Sequence, residues 1–266
     1  MKVGIAGYGA IGKVIGEALD HGIHGLELVG VCVRNIERGH LRMSSLKHPV
    51  PVMSAEELAD ICDIIVECVP KEGFNSIAVP ALNEDKILVT VSAAGIIANP
   101  ETVKIAKSGK GRIILATGAL LGLDAVRAAS EGKIKEVVMV TKKPPNALSG
   151  APYLVKNDIS VSGLNEPKLV FNGSAKEGAD GFPANVNVAA ALGLAGIGPD
   201  KTKLEIWADP NLSRNTHSIR VVADSANFEM SIENVQSEEK PGTGKITALS
   251  VIACLRGLVS PLKVGT

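Results

Sequence analysis

The stretch Lys2-Val3-Gly4-Ile5-Ala6-Gly7-Tyr8-Gly9-Ala10-Ile11-Gly12 decides the fold of this chain. A short apolar strand leads directly into a G-x-G-x-x-G turn, and the segment after the turn has the apolar spacing of a helix. In this context the first glycine permits a tight turn, the second lets a pyrophosphate approach the backbone, and the third lets the helix pack on the strand. The amides at the helix N-terminus would face the phosphates. The stretch therefore predicts a dinucleotide-binding domain rather than a purely structural turn, with cofactor contacts at Gly7, Gly9, Ala10, Ile11 and Gly12.

The composition restricts the classes of protein to which the chain can belong. Of its 266 residues 45% are hydrophobic and only 3% aromatic, so we expect an aliphatic core, as in buried parallel strands flanked by helices. The 28 basic and 28 acidic residues balance, and no long run of either sign suggests binding to nucleic acid or to an anionic membrane. No apolar run is long enough to cross a bilayer, and a strand at the N-terminus argues against a signal peptide. The four cysteines lack C-x-x-C spacing and are interpreted as buried thiols of a cytoplasmic protein rather than as metal ligands.

Two domains are predicted from the order of strand and helix patterns. Over residues 1–120 these patterns alternate, which is typical of an α/β, doubly wound parallel sheet of the Rossmann type. Beyond residue 120 the pattern becomes a mixed α+β one, with a largely antiparallel sheet and a hairpin around residues 224–226, while residues 142–163 are interpreted as a loop. A hinge-like break at residues 241–244 precedes a final apolar helix, which we expect to return to the first domain. The predicted organisation is a Rossmann-type domain of residues 1–120 with 245–266, and a smaller substrate and dimerisation domain of residues 121–244.

Ligands of doubly wound sheets bind beyond the carboxyl ends of the strands. Small residues occupy several of these ends and would let a nicotinamide ribose lie close to the backbone. The contacts predicted on this basis are Cys68, Val69, Ala93, Ala94 and Ala119.

The end of the second strand bears on the choice between NAD and NADP. An NAD-specific site usually carries Asp or Glu there, to bind the ribose 2′-hydroxyl, whereas this chain has Val33-Arg34-Asn35. Arg34 would pair with a 2′-phosphate, aided by Arg38 one helical turn later. The sequence therefore favours NADP, or both cofactors, over NAD alone, with Arg34 and Asn35 as cofactor contacts. The alternative is a solvated arginine at the sheet edge, with Asn35 capping the next helix.

His217 is the only histidine of the second predicted domain. It lies where a turn enters a predicted strand, and an imidazole there would exchange a proton near pH 7. Taken alone, a single histidine is more often structural than catalytic. The other four histidines lie within the first fifty residues and are predicted to lie at the surface: His21, His24, His40 and His48.

The chain resembles the L-aspartate dehydrogenases over essentially its whole length. Five segments carry the resemblance: GYGAIG (7–12), TGALLGLDA (117–125), GSAKEGA (173–179), FPANVNVAA (182–190) and NTHSI (215–219). The resemblance implies oxidative deamination of L-aspartate to iminoaspartate, and on to oxaloacetate and ammonia, with reduction of NAD or NADP, together with the reverse amination. It also implies a homodimer and a supply of iminoaspartate to quinolinate and NAD synthesis.

The resemblance also assigns roles to single residues. His217 corresponds to the active-site histidine of the family and is expected to act as an acid/base. Asn187 and Leu121 correspond to cofactor-contacting positions, although Leu121 replaces the alanine or glycine that is common there. A basic pair after a central strand is expected to hold the substrate carboxylates, with a solvated strand end as the alternative. The predicted substrate contacts are Thr141, Lys142, Lys143, Ser174 and Arg214, and no metal is predicted.

Two other interpretations remain open at this point. A homoserine-dehydrogenase-like or dihydrodipicolinate-reductase-like enzyme would use the same scaffold, but the reductase would show paired histidines and a lysine in the second domain, where only one histidine occurs. A non-catalytic protein that senses dinucleotides would keep the glycine turn and would not need Asn187 and His217.

Overall fold

The computed structural model describes residues 1–182, 186–239 and 242–265. They form two compact units: the first holds Met1–Ala116 and Thr247–Lys263, and the second holds Thr117–Ile246 and the last described residues. No helix within these ranges has the length and apolar character needed to cross a membrane.

A five-stranded parallel sheet forms the centre of the first unit, in the order β2-β1-β3-β4-β5. Its strands are β1 (Lys2–Ala6), β2 (Glu27–Cys32), β3 (Ile64–Glu67), β4 (Ile87–Thr90) and β5 (Arg112–Leu115). The chain crosses from one side of β1 to the other between β2 and β3, so the topological switch point lies between β1 and β3. The predicted Rossmann-type sheet is confirmed.

Helices cover both faces of this sheet, because its strands are apolar on both faces. They are α1 (Ala10–Asp20), α2 (Ile36–Met43), α3 (Ala55–Ile61), α4 (Phe74–Asn83), α5 (Ala93–Ala98) and α6 (Pro100–Ser108), with a 3₁₀ turn at Lys71–Gly73. Successive side chains of a strand point to opposite faces. Accordingly Ile64 and Val66 pack into one hydrophobic cluster and Ile65 into the other. Ser54 and Glu57 form a capping box at the start of α3.

The second unit contains a mixed five-stranded sheet in the order β10-β9-β6-β8-β7. Its strands are β6 (Ile134–Lys143), β7 (Lys168–Ser174), β8 (Lys203–Ala208), β9 (Asn215–Ala223) and β10 (Asn227–Asn234). Only the β6–β8 pairing is parallel among these described strands. The predicted hairpin is confirmed as β9 and β10. On β6 and β9 one side-chain face is mostly buried and the other partly exposed.

The remaining helices are α7 (Leu123–Ser130), α8 (Pro152–Lys156), α9 (Ala175–Gly181), α10 (Val186–Ala195) and α11 (Lys245–Val259). The interpretation of residues 142–163 as loop is wrong in part: β6 runs to Lys143, a 3₁₀ turn occupies Pro145–Ala147, and α8 lies within the segment. A five-residue helix is too short to show periodicity, and Pro152 at its first turn fits the fixed φ of proline. The predicted break at residues 241–244 includes Pro241, which lies outside the described residues.

The C-terminal helix α11 belongs to the first unit for most of its length. Its side chains Ala248, Val251 and Leu255 are buried in the same hydrophobic cluster as Val3 and Ile5 of β1. The predicted return of this helix to the first domain is therefore confirmed.

Candidate active site

The glycine turn joins β1 to α1 and leaves open space at its second glycine. Gly7 has φ +90°, and a Cβ there would lie 2.7 Å from the Cys68 carbonyl oxygen. A Cβ on Gly12 would collide with the Gly7 carbonyl oxygen, whereas a Cβ on Gly9 would meet no atom within 4 Å. No side chain caps the N-terminus of α1, so its first amides, including those of Ala10 and Ile11, are left for a ligand. An anionic diphosphate fits this arrangement, because amides and dipole both favour negative charge there.

Arg42 of α2 contacts the backbone of the glycine turn. Its guanidinium donates a hydrogen bond to the Tyr8 carbonyl oxygen. The Tyr8 ring lies against Gly16, where a Cβ would collide with the phenol ring, and burial raises the pKa of the Tyr8 hydroxyl to about 12. Arg42 is not predicted from the sequence, because this contact joins residues 34 positions apart and no spacing rule predicts it.

The end of β2 places Arg34 at the surface. Arg34 is exposed and has no hydrogen bond or ion pair with any residue that the structure describes. The Asn35 side chain accepts a hydrogen bond from the Arg38 amide at 2.8 Å and caps α2. The capping role considered for Asn35 is thus present, and the Arg34 guanidinium remains available for a ligand.

A buried carboxylate ties together the ends of β3 and β4. Glu67, the last residue of β3, is completely buried and accepts hydrogen bonds from the Thr90 hydroxyl (2.5 Å), the Val69 amide (2.8 Å) and the Ser92 hydroxyl (3.1 Å). Burial raises the pKa of this carboxyl, and the three donors oppose that shift. The bonds bring together the strand ends that carry the predicted contacts Cys68, Val69, Ala93 and Ala94. Glu67 is absent from the contacts predicted from the sequence, although a single glutamate in an apolar strand is a signal that points to it.

His217 lies on the buried face of β9, opposite Thr141 of β6. Its Nδ1 shares a hydrogen bond with the Thr141 hydroxyl at 3.0 Å, and both side chains are buried. The bond orients the ring and leaves Nε2 without a partner among the described residues. Burial, and secondarily the charge of Lys143, lower the pKa of the imidazole to about 4. The ring is therefore neutral at pH 7, instead of titrating there as the sequence suggests.

Lys142 and Lys143 lie on opposite faces of β6, because successive side chains of a strand alternate. Lys142 is exposed, whereas Lys143 is only 4% exposed and shares the buried face with Thr141. Its ammonium group makes no ion pair or hydrogen bond with the residues that the structure describes. Burial lowers the pKa of Lys143 to about 8. The predicted basic pair is thus split, and only Lys143 lies on the face of His217.

Two buried asparagines lie near Thr141, Lys143 and His217, one at the start of β9 and the other at the end of β10. Asn215 and Asn234 face each other across these strands and are both buried. Asn234 donates its side-chain amide to the Ala119 carbonyl oxygen at 3.0 Å, which assigns the amide orientation. The Oδ1 atoms of both asparagines have no partner among the described residues. Since buried acceptors are rarely left unpaired, these two oxygens indicate a missing donor. Neither asparagine is predicted from the sequence as a site residue.

The structure does not place the other predicted substrate and cofactor contacts of the second unit next to His217. Ser174 pairs with Lys203 at the start of β8, whereas Lys143 pairs with Ala208 at its end. The Ser174 hydroxyl is engaged with Glu177 in a capping box. Arg214 is exposed just before β9, Leu121 is half-buried before α7, and Asn187 is exposed in the first turn of α10. The contacts proposed for these residues remain predictions.

Metal-ligating side chains are not clustered: within the described residues no group of three His, Cys, Asp or Glu side chains is placed to hold an ion. All four cysteines are free. The four remaining histidines are exposed, as predicted.

Comparison with known proteins gives matches to both units of the chain. A family model described as "Aspartate dehydrogenase, C-terminal" matches residues 124–258, and one described as "Homoserine dehydrogenase, NAD binding domain" matches residues 7–116. The chain is 50% identical over 266 residues to an L-aspartate dehydrogenase of Bradyrhizobium diazoefficiens, covering 100% of this chain and 94% of the relative. It is 48% identical to L-aspartate dehydrogenase 3 of Bordetella bronchiseptica, covering 100% and 98%. The crystal structure of aspartate dehydrogenase from Thermotoga maritima superimposes with a TM-score of 0.79 at 26% identity, covering 100% and 99% of the two chains. The glycine turn, the buried histidine and these full-length matches together place the chain in the L-aspartate dehydrogenase family.

Proposed function

We propose that this protein catalyses the NAD(P)-dependent oxidative deamination of L-aspartate to iminoaspartate, which water converts to oxaloacetate and ammonia, and the reverse amination. The observation that carries the proposal is the buried Thr141–His217 pair, which lies in a unit whose relatives are named L-aspartate dehydrogenases. The family resemblance further supports release of iminoaspartate to quinolinate and NAD synthesis. The four free cysteines support the expected cytoplasmic location.

In this proposal the first unit holds the cofactor. The bound nicotinamide supplies the acceptor for the hydride that leaves C2 of L-aspartate. The glycine turn and the N-terminus of α1 would bind the pyrophosphate, and Glu67, through its bonds to Val69 and Thr90, would keep the ends of β3 and β4 in position for the cofactor. Further cofactor contacts are proposed at Ala119, Leu121 and Asn187.

The second unit would handle the proton and the substrate carboxylates. His217 is held by Thr141 and offers a neutral Nε2 to the water that attacks the imine. Lys143 lies on the same buried face as His217, and no carboxylate of the described residues pairs with it, so its amine is available to the substrate. Lys142, Arg214 and Ser174 stay as predicted contacts of the substrate.

The direct test is absorbance at 340 nm with L-aspartate and either NAD or NADP. We expect L-aspartate to support reduction of NAD or NADP, and homoserine to support none above background. If homoserine supports reduction of the cofactor and L-aspartate does not, the chain has a homoserine-dehydrogenase activity instead. If neither amino acid supports reduction although NADH binds, the interpretation as a dinucleotide-sensing protein takes precedence.

Arg34 is proposed to select the cofactor. Changing Arg34 to Asp should weaken NADP binding about tenfold or more, since one charged pair contributes roughly 1.5–3 kcal/mol, and NAD binding should change much less. The measurement is the ratio of NADPH to NADH affinity by fluorescence titration. Arg112→Asp carries the same charge change at the exposed amino end of β5 and serves as the control. An unchanged ratio in Arg34→Asp would remove Arg34 from the site.

We propose a homodimer formed through the partly exposed face of the second sheet. This face carries Val140, Trp207 and the 40% exposed Leu169 beside charges of both signs, such as Arg220 and Glu229. An apolar surface flanked by charges of both signs can bind the same surface of a second copy about a twofold axis. Light scattering should give twice the mass of the chain, and Val140→Asp should give the monomer mass. A wild-type protein that is monomeric at working concentration would refute the proposal.

A further inference from the structure

Lys143 differs from the other lysines near the sheet because it is buried without a counter-ion. It is the last residue of β6, and its neighbour Lys142 pairs with Thr216, so Lys143 lies next to Asn215 at the start of β9. It is also a diagonal neighbour of His217, at roughly 7 Å between Cβ atoms by sheet geometry. The nearby charged group after β8 is Asp209, whose carboxylate accepts the Asn211 amide and forms no ion pair with Lys143. An uncompensated buried ammonium is costly, and such a cost is typical of a functional residue.

His217 alone is poorly suited to the first chemical step. The amino group of L-aspartate is an ammonium at neutral pH and must lose a proton before C2 can lose a hydride. An imidazole whose pKa is about 4 is a weak acceptor for that proton. The Lys143 amine, with a pKa of about 8, is far closer to the operating pH at which a general base works best.

The polar atoms around Lys143 also fit an ammonium group. The unpartnered Oδ1 atoms of Asn215 and Asn234 are acceptors only, and both residues lie at the same end of the sheet as Lys143. An ammonium brings three donors, which would satisfy both oxygens and place one N–H toward a neutral amine on Lys143.

We propose that Lys143 is the general base that takes the proton from the substrate ammonium, with Asn215 and Asn234 holding that ammonium and His217 acting on the water. The assignment rests on the proposed deamination. One N–H bond of L-aspartate breaks and an N–H bond to Lys143 Nζ forms. The freed lone pair then forms the C=N bond as the C2–H bond breaks, so that L-aspartate loses two electrons, as a hydride, to NAD(P)⁺. Lys143 afterwards returns its proton to solvent.

The test separates a base from a carboxylate anchor with two variants. Lys143→Arg keeps the charge but does not titrate near neutral pH, and Lys143→Met removes the charge. We expect both to lower kcat by roughly 10²–10⁴, with loss of the limb near pH 8 in the profile of kcat/KM. In a third variant, Lys143→Ala, added methylamine should restore part of the activity. Binding of succinate, an unreactive dicarboxylate, should survive in Lys143→Met as well as in Lys143→Arg when measured by calorimetry.

A readout independent of activity reports the buried amine itself. The unfolded lysine keeps its proton up to pH 10.5, whereas the folded one loses it near pH 8. Wild-type stability toward denaturant should therefore rise between these two pH values, and the rise should be absent in Lys143→Met. Lys135→Met, an exposed lysine at the other end of β6, should behave as wild type in every measurement.

Two results would overturn the inference. One is Lys143→Arg with kcat within a fewfold of wild type and an unchanged pH profile. The other is Lys143→Met with near-normal kcat and lost succinate binding, which would make Lys143 a carboxylate anchor. A wild-type protein that does not oxidise L-aspartate would instead refute the proposed function, so the two failures are distinguishable.

Discussion

Replacing His217 by asparagine should lower turnover with L-aspartate by roughly 10²–10⁴, the usual contribution of a positioned acid/base. Asparagine keeps a polar side chain next to the Thr141 hydroxyl, so the sheet should be retained. Cofactor binding should stay nearly unchanged, because the glycine turn and the strand ends of the first unit carry most of the proposed contacts. The measurements are kcat and the dissociation constant of NADH.

The pH dependence of stability provides a control for His217. Its folded pKa of about 4 lies below the ordinary value of 6.5, so the unfolded state binds a proton first as the pH falls. Wild type should lose stability between pH 6.5 and pH 4, by up to about 3 kcal/mol for a shift of this size, and His217→Asn should not show this loss. If the asparagine variant turns over within a fewfold of wild type, His217 is structural and the acid/base must be sought at Lys143.

Replacing Gly9 by valine should weaken NADH binding by roughly a hundredfold, because about 3 kcal/mol is lost when one or two bonds to a charged phosphate are removed. The fold should be kept, since a Cβ at Gly9 meets no protein atom within 4 Å. That open space is where the pyrophosphate is proposed to lie. Fluorescence titration of NADH measures the affinity, and thermal unfolding without cofactor checks the fold.

Gly257→Val provides the matched control, because a Cβ at this glycine of α11 also meets no atom within 4 Å. We expect it to bind NADH as wild type does. Wild-type NADH affinity in Gly9→Val would end the interpretation of this turn as a phosphate cradle.

The first domain could be predicted closely because its signals are local. The G-x-G-x-x-G turn and the apolar strand of residues 64–66 each depend on a few neighbouring residues, where backbone geometry and hydrophobic periodicity dominate. Two strand-like stretches on either side of residues 224–226 likewise predicted the hairpin. Short elements without periodicity, such as α8, were beyond this kind of reasoning.

The proton-handling site shows what sequence patterns leave undecided. Thr141 and His217 lie 76 positions apart, and only the register of β6 against β9 joins them. Lys142 and Lys143 look alike in the sequence, and strand alternation alone places one in solvent and the other beside the histidine.

The sequence by itself determined the fold of both domains, because the fold depends on local periodicity. It also determined the family and the catalytic candidate His217, because short segments of the chain match those of the family in the same order. The tertiary structure decided the ionisation of His217 and Lys143 and the unpaired oxygens of Asn215 and Asn234. Such properties arise from desolvation and from partners brought together across strands, so no stretch of sequence contains them.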